Sequence, residues 1–83
     1  MKPELMDAEI LSILAVQDEY PLSAELIAKH VLASGINTGV DEVKLRIRFM
    51  KERGWVDYQV NDYQEEKWFI TEKGQIHRRQ SQG

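Results

Sequence analysis

The stretch that decides the fold runs from Val43 to Gly74 and reads VKLRIRFMKERGWVDYQVNDYQEEKWFITEKG. In its first part, residues 43–53, apolar side chains recur at helical spacing between basic ones, which predicts a helix with one basic face. Gly54 follows immediately, and a glycine at this position is typical of a helix end. The stretch therefore opens with a basic helix that stops at Gly54.

A β-hairpin is predicted directly after this helix. Residues 55–60 alternate apolar and polar side chains, and residues 67–70 are aromatic and β-branched, which is typical of two paired strands. Asn and Asp at positions 61–62 are common turn residues. Thr71 is placed to cap a short final helix that extends to Ile76.

Two more helices are predicted upstream of the basic one. The first spans residues 3–17, where apolar side chains recur at helical spacing. It ends before Pro21, because the residue that precedes a proline is pushed out of the helical region. The second spans residues 24–34, with Ser23 as its N-cap. Thr38 is placed to cap the basic helix in the same way.

The length and composition of the chain indicate one small globular domain. The chain has 83 residues, of which 42% are hydrophobic and 30% charged, values typical of a soluble protein. No apolar run approaches the roughly 20 residues that a membrane-spanning helix needs. Cysteine is absent, which excludes disulfides and thiol catalysis and fits a cytoplasmic protein. We expect residues 1–76 to form the domain and residues 77–83, which hold no apolar residue, to form a flexible polar tail.

The net charge of −3 hides an uneven distribution. Residues 1–40 carry six acidic and two basic side chains, whereas residues 41–54 carry five basic and three acidic ones. Residues 55–66 carry four acidic side chains and no basic one, and residues 67–83 carry four basic and one acidic. Positive charge is concentrated in the basic helix and at the C-terminal end, so a nucleic acid would have to bind at those two places.

The order of helix, helix, short turn, basic helix and hairpin resembles the winged helix-turn-helix family. Three segments carry the likeness, and together they extend over about residues 4–76: Pro21–Ala28 at the start of the second helix, Met50–Val56 at the joint between basic helix and hairpin, and Ile70–Gly74 at the exit from the hairpin. The resemblance implies an α+β fold. We expect a small winged helix-turn-helix domain with three main helices, a two-stranded wing and a short C-terminal helix. A short third strand at Leu22 is a further option.

The resemblance also implies a function. In that family the third helix lies in the major groove of DNA, and the wing touches the flanking backbone or the minor groove. We therefore expect a small DNA-binding protein, a transcription regulator whose partner is double-stranded DNA. Basic side chains can read guanine or contact phosphates. The implied DNA-binding residues are Asn37 and Thr38 before the third helix, Lys44, Leu45 and Arg48 toward base edges, Arg46 and Lys51 toward phosphates, and Tyr63 and Lys67 on the wing.

Acidic residues favour an alternative function. Asp41 and Glu42 occupy the first turn of the third helix, and residues 62–66 give the wing an acidic tip. Carboxylates repel phosphates, so we expect few phosphate contacts and weak affinity from a single chain. The alternative is a protein-interaction module that uses this acidic wing. A homodimer or a protein partner is compatible with either function, and Leu5 and Leu11 are candidates for a dimer face.

No catalytic or cofactor-binding pattern stands out. His30 and His77 have no second ligand at metal-binding spacing, and the sequence contains no phosphate-binding glycine loop, H-E-x-x-H run or nucleophile–base pair. We expect no enzyme activity, no metal and no cofactor. Trp55 and Trp68 are expected to pack the hairpin on the core. Tyr63 is expected either to contact a groove or a protein, or to remain an exposed ring.

Overall fold

A computed structural model describes residues 3–82 of the chain, which form four helices and one two-stranded antiparallel sheet. This is the α+β architecture that the sequence predicted, with three main helices, a hairpin and a C-terminal helix. The helices and strands are α1 (Pro3–Val16), α2 (Ala24–Ala33), α3 (Val40–Glu52), β1 (Val56–Val60), β2 (Glu66–Ile70) and α4 (Glu72–Gln82).

The first two helices match their predicted positions. Each ends one residue earlier than the sequence indicated, α1 at Val16 and α2 at Ala33. Ser23 caps α2 as predicted, because its hydroxyl oxygen accepts a hydrogen bond from the backbone N–H of Leu26 at 3.2 Å. This bond satisfies one of the N–H groups that the first turn of a helix leaves without a partner.

The predicted cap of α3 is wrong. The N-cap is Gly39, one residue after Thr38, and no described side chain caps the first turn. The Thr38 hydroxyl instead donates to Oε2 of Glu42 at 2.9 Å and lies 3.8 Å from the sulfur of Met6. It therefore holds the turn before α3 against α1. Threonine is a frequent capping residue, but local spacing did not indicate that Glu42 would accept the hydrogen bond of its hydroxyl group.

A β-bridge connects the hairpin to the segment between α1 and α2. β1 and β2 pair with Val56 opposite Ile70 at the base of the hairpin. Where a third strand was expected, Leu22 and Trp68 exchange two backbone hydrogen bonds of 2.9 and 2.7 Å. The bridge joins the α1–α2 connection to β2, and so it fixes the direction of the hairpin relative to α3.

The core lies between α1, α2, α3 and one face of the hairpin. α3 contributes Val43, Ile47 and Met50, and none of these side chains is exposed to solvent, as their helical spacing predicted. Trp68 is buried in the same cluster of core residues. Trp55 is half-buried and packs against this cluster. Both tryptophans therefore have the packing role that the sequence indicated.

α1 buries one face and exposes the other. Leu11 is 2% exposed and belongs to the core, so the expectation that it contributes to a dimer face is wrong. Leu5 is 58% exposed and remains accessible on the outer face. The apolar stripe predicted from the sequence did not distinguish the two, because both lie outside that stripe, one on each side of it.

α4 is longer than the sequence predicted. It continues past Ile76 to Gln82, through residues expected to form a flexible tail. The imidazole of His77 stacks on the Trp55 ring, with centroids 3.8 Å apart and planes inclined by 12°. The C-terminal half of α4 has no apolar residue, and the stacked ring of His77 holds it against Trp55. Hydrophobic periodicity in the sequence does not reveal such an aromatic contact.

The start of α4 is locked to the base of the hairpin. Thr71 caps it as predicted, since its hydroxyl oxygen accepts a hydrogen bond from the N–H of Gly74 at 3.0 Å. The same hydroxyl donates to the carbonyl oxygen of Gly54. Gly74 is buried, and a Cβ atom there would overlap the carbonyl oxygen of Trp55. Glycine is therefore needed for this close approach of two backbones.

Candidate nucleic-acid interface

The two flanks of α3 face different parts of the molecule. Helical spacing places Lys44, Arg48 and Lys51 on the flank beside α2 and the hairpin. Arg46 and Phe49 lie on the other flank, beside α1. The basic residues of the helix are thus divided between two surfaces, and the sequence-predicted site is not a single continuous face.

Each basic residue on the hairpin side is paired with a carboxylate from another element. Nζ of Lys44 lies 3.7 Å from Oε1 of Glu25 on α2. Nη2 of Arg48 lies 3.2 Å from Oε1 of Glu66 at the start of β2.

The third pair completes the pattern at the base of the hairpin. Nζ of Lys51 lies 3.6 Å from Oδ1 of Asp57 on β1. In all three pairs both side chains are at least one-third exposed to solvent. Solvated ion pairs of this kind contribute about 0–1 kcal/mol. A phosphate can therefore replace the carboxylate at little energetic cost.

A groove of about 470 Å³ separates the start of α2, the outer flank of α3 and the tip of the hairpin. Lys44 and Arg48 line it together with Glu25 and Glu66. Leu45, beside this groove on the solvent side of α3, is 70% exposed. Cations and an uncovered apolar side chain thus occur together on the exposed part of α3.

The turn at the end of the hairpin is ordered by one side chain. Oδ1 of Asn61 accepts hydrogen bonds from the backbone N–H groups of Tyr63 at 2.9 Å and Glu65 at 3.0 Å. Gln64 adopts a left-handed conformation with a φ of 64°. The Tyr63 side chain is 83% exposed, so it projects from a defined turn and makes no packing contribution to the core.

Arg46 belongs to a different environment from the other predicted cations. Its Nε and Nη2 donate to the two carboxylate oxygens of Asp7 at 2.9 and 2.6 Å, in the bidentate arrangement. Its guanidinium carbon also lies 4.5 Å from the centre of the Phe49 ring. The hydrogen bonds that Arg46 donates to Asp7 raise the pKa of Arg46 above its usual value, although partial burial opposes the shift. The structure thus does not bring Arg46 together with Lys44 and Arg48.

The remaining predicted site residues are spread around this surface. Asn37 is exposed in the turn before α3, and Thr38 is half-buried and bonded to Glu42. Lys67 is half-buried on β2, opposite Gln59. The structure therefore places Asn37 and Thr38 at one end of α3 and Lys67 on the hairpin, at the edges of the surface formed by the helix.

Sequence reasoning missed the residues that control the charge of α3. Glu25, Asp57 and Glu66 each neutralise a basic side chain of this helix. These pairs join different elements, so local spacing could not show them. The only indication was the excess of acidic residues in the segments before and after α3.

The comparison with known protein families identifies the domain. Residues 8–77 match the family described as the ribonuclease R winged-helix domain, which covers most of the chain. The chain belongs to this winged-helix family. The hairpin formed by β1 and β2 is accordingly the wing, and α3 is the third helix of the helix-turn-helix.

A solved structure supports the same fold for this winged-helix domain. The crystal structure of SSV1 F-93 superposes with a TM-score of 0.69 and 19% sequence identity, over 96% of this chain and 81% of that one. No curated protein matches the sequence.

Membrane-spanning helices and metal-binding clusters are both absent from the described residues of the winged-helix domain. None of the helices between residues 3 and 82 is long and apolar enough to span a membrane. No group of three or more His, Asp or Glu side chains in this part of the chain is arranged to hold a metal ion.

Proposed function

We propose that this winged-helix domain binds double-stranded DNA with the exposed part of α3 and acts as a cytoplasmic transcription regulator without catalytic activity. One observation carries the proposal: Lys44, Leu45 and Arg48 form an uncovered surface on α3 beside an ordered wing. An α-helix fits the major groove of B-form DNA, where arginine can read guanine and an apolar side chain can contact the thymine methyl group.

The ion pairs of α3 define how DNA would bind. Lys44, Arg48 and Lys51 exchange their carboxylate partners for phosphates or base edges, while Glu25, Asp57 and Glu66 return to solvent. At most three phosphate contacts, one for each of these cations, predict that affinity falls by up to about 40-fold between about 50 and 200 mM salt. A protein with this surface therefore binds weakly as a single chain and depends strongly on salt.

Duplex RNA is the second candidate ligand, because the family description names a ribonuclease, an enzyme that acts on RNA. The major groove of A-form RNA is deep and too narrow for side chains to read, and its minor groove is wide and shallow. An exposed helix such as α3 suits the B-form groove better. We therefore expect the domain to bind a DNA duplex more tightly than an RNA duplex of the same sequence.

Fluorescence anisotropy with matched DNA and RNA duplexes at two salt concentrations tests this proposal. Arg48→Glu should lower DNA affinity by at least about tenfold, since it replaces a phosphate or guanine contact by a repulsive carboxylate. Lys73→Glu is the matched control, because it makes the same charge reversal at an exposed position on α4. We expect it to change affinity by less than about threefold, the effect of net charge alone.

Three results would contradict the proposal. Folded protein that binds neither duplex at low salt would favour the alternative function, a protein-interaction module that uses the acidic wing. If Arg48→Glu and Lys73→Glu lowered the affinity equally, binding would depend on the net charge of the protein and not on contacts made by α3. Tighter binding to RNA than to DNA would replace DNA by RNA as the ligand.

A further inference from the structure

A second groove lies on the opposite side of α3 from the wing, between α1, α3 and α4. It has a volume of about 540 Å³, and its surface is mainly apolar. The apolar side chains that line it are Leu5, Ala8 and Leu11 of α1 and the rings of Phe49 and Trp55. Small-molecule sites in proteins measure about 300–1,000 Å³ and combine a mostly apolar lining with a few polar groups. This α1–α3–α4 groove therefore has the size and the lining of such a site.

Arg53 places a positive charge beside the aromatic part of the groove. Its guanidinium carbon lies 4.5 Å from the centre of the Phe49 ring and 5.5 Å from that of the Trp55 ring. Arg53 is exposed, and it takes no part in the four ion pairs between described residues. A flat molecule that packs on either ring would therefore lie within reach of a cation that no described carboxylate neutralises.

Arg78 supplies a second cation and an unsatisfied donor. It is half-buried on α4 and lines the same groove. Its Nε is buried and has no hydrogen-bond partner among the described residues. A buried donor without an acceptor is unfavourable. An oxygen acceptor that bound beside Arg78 would remove this cost.

The balance of charge in the groove favours an anion with a single charge. Arg46 donates to both carboxylate oxygens of Asp7, so these two residues neutralise each other. The other residues of fixed charge in the lining are Arg53, Arg78 and Glu4, which leaves one positive charge in excess. A carboxylate matches this excess, whereas the doubly charged phosphate group would be repelled more strongly by Glu4 and Asp7.

We propose that the α1–α3–α4 groove binds a small organic carboxylate with an aromatic body. The aromatic body packs on Phe49 and Trp55, and the carboxylate accepts hydrogen bonds from Arg53 and Arg78. Hydrogen bonds between guanidinium and carboxylate groups are charge-assisted and stronger than neutral ones. This inference does not depend on the proposed function, because the groove lies on the opposite side of α3 from Lys44 and binding there requires no nucleic acid.

Isothermal titration calorimetry with naphthylacetate tests the site. Naphthylacetate should bind with a dissociation constant below about 1 mM, an affinity that a ligand of this size reaches with ordinary contacts. Naphthylacetamide is the matched ligand, because it has the same rings and no negative charge. We expect the amide to bind at least about fivefold more weakly, since it lacks the charge-assisted hydrogen bonds.

Arginine variants identify the groups that bind the carboxylate. Arg53→Gln and Arg78→Gln should each weaken naphthylacetate binding by at least about fivefold and change the affinity for the amide by less than about twofold. Arg79→Gln is the control, because it removes the same charge from an exposed position on α4 outside the groove lining. Circular dichroism establishes that each variant is folded. If Arg78→Gln unfolds the chain, the exposed Arg53 provides the same test.

A larger side chain at Ala8 tests where the ligand lies. Ala8 is exposed and lines the groove, so Ala8→Phe should fill part of it and lower the affinity for both ligands by at least about fivefold. Ala33→Phe makes the same change at an exposed alanine of α2 outside the groove lining. It should leave both affinities unchanged.

The proposal is overturned by any of three outcomes. Folded protein does not bind naphthylacetate, the acid and the amide bind equally well, or Ala8→Phe and Ala33→Phe have the same effect. The second outcome would mean that the two arginines do not recognise a carboxylate, and the third would place the ligand outside the groove. Because these assays contain no nucleic acid, failure of this site and failure of DNA binding are measured separately.

Discussion

At the scale of single residues, the pair of Asp7 and Arg46 shows how a predicted binding residue can serve the fold. Asp7 is 8% exposed and accepts both hydrogen bonds from the Arg46 guanidinium. The arginine also covers the Phe49 ring. This pair connects α1 to α3, so we assign Arg46 a part in holding these helices together.

Asp7→Ala should lower the free energy of unfolding by about 2–3 kcal/mol, because it leaves the half-buried Arg46 without its acceptor. Urea unfolding followed by circular dichroism measures the loss. Asp18→Ala, which removes an exposed carboxylate just after α1, serves as the control and should change stability by less than about 0.5 kcal/mol. Equal effects of the two variants would show that the Asp7–Arg46 pair adds nothing to stability.

At the scale of elements, α3 is a helix whose cations are held by carboxylates of its neighbours. Lys44 is tied to α2, and Arg48 and Lys51 are tied to the wing. The neighbours therefore set how much positive charge α3 presents. Under the proposed function, the same carboxylates compete with phosphates for these side chains, so we expect the acidic wing to lower DNA affinity without blocking the helix surface.

Glu66→Gln should raise DNA affinity by about twofold to fivefold, since it frees Arg48 from an exposed ion pair of up to about 1 kcal/mol. Titration of a labelled duplex by anisotropy measures this change. Glu72→Gln in the first turn of α4 removes the same charge away from α3 and is the control. An unchanged or lower affinity for Glu66→Gln would mean that Glu66 does not compete with DNA.

The helices and strands could be predicted from sequence because their signals are local. Ser23 and Thr71 are capping residues next to the segments they cap, and both predictions are confirmed. Thr38, like Thr71, is a threonine just before a helix, but its hydroxyl donates to the Glu42 side chain and does not cap the helix. Sequence spacing alone does not show which of these two hydrogen bonds a threonine forms. The ion pairs of the candidate site join residues distant in sequence, so no local pattern could predict them.

At the scale of the whole molecule, α4 closes the domain. The order of elements, together with three segments that resemble the winged-helix family, was sufficient to predict a winged helix. It did not predict the full length of α4, which extends to Gln82 and stacks His77 on Trp55. A polar sequence gave no indication that its residues would pack.

A chain that stops at Ile76, where the sequence placed the end of the domain, should lose about 1–2 kcal/mol of stability, because it lacks the stacked His77 ring. Thermal unfolding of this shortened chain beside the full chain measures the difference. His77→Ala in the full chain should account for most of the loss. A shortened chain as stable as the full one would mean that α4 beyond Ile76 is dispensable to the fold.

The bridge between Leu22 and Trp68 also has a consequence for the rate of folding. The β1–β2 hairpin is a local structure, whereas the bridge joins residues from opposite parts of the sequence. Contacts of high sequence separation form slowly, because closing a long loop costs more entropy than closing a short one. The wing therefore acquires its final direction late in folding, when the α1–α2 connection reaches β2. Until that moment α3 has no fixed wing beside it, and the surface that we propose to bind DNA is among the last parts of the molecule to form.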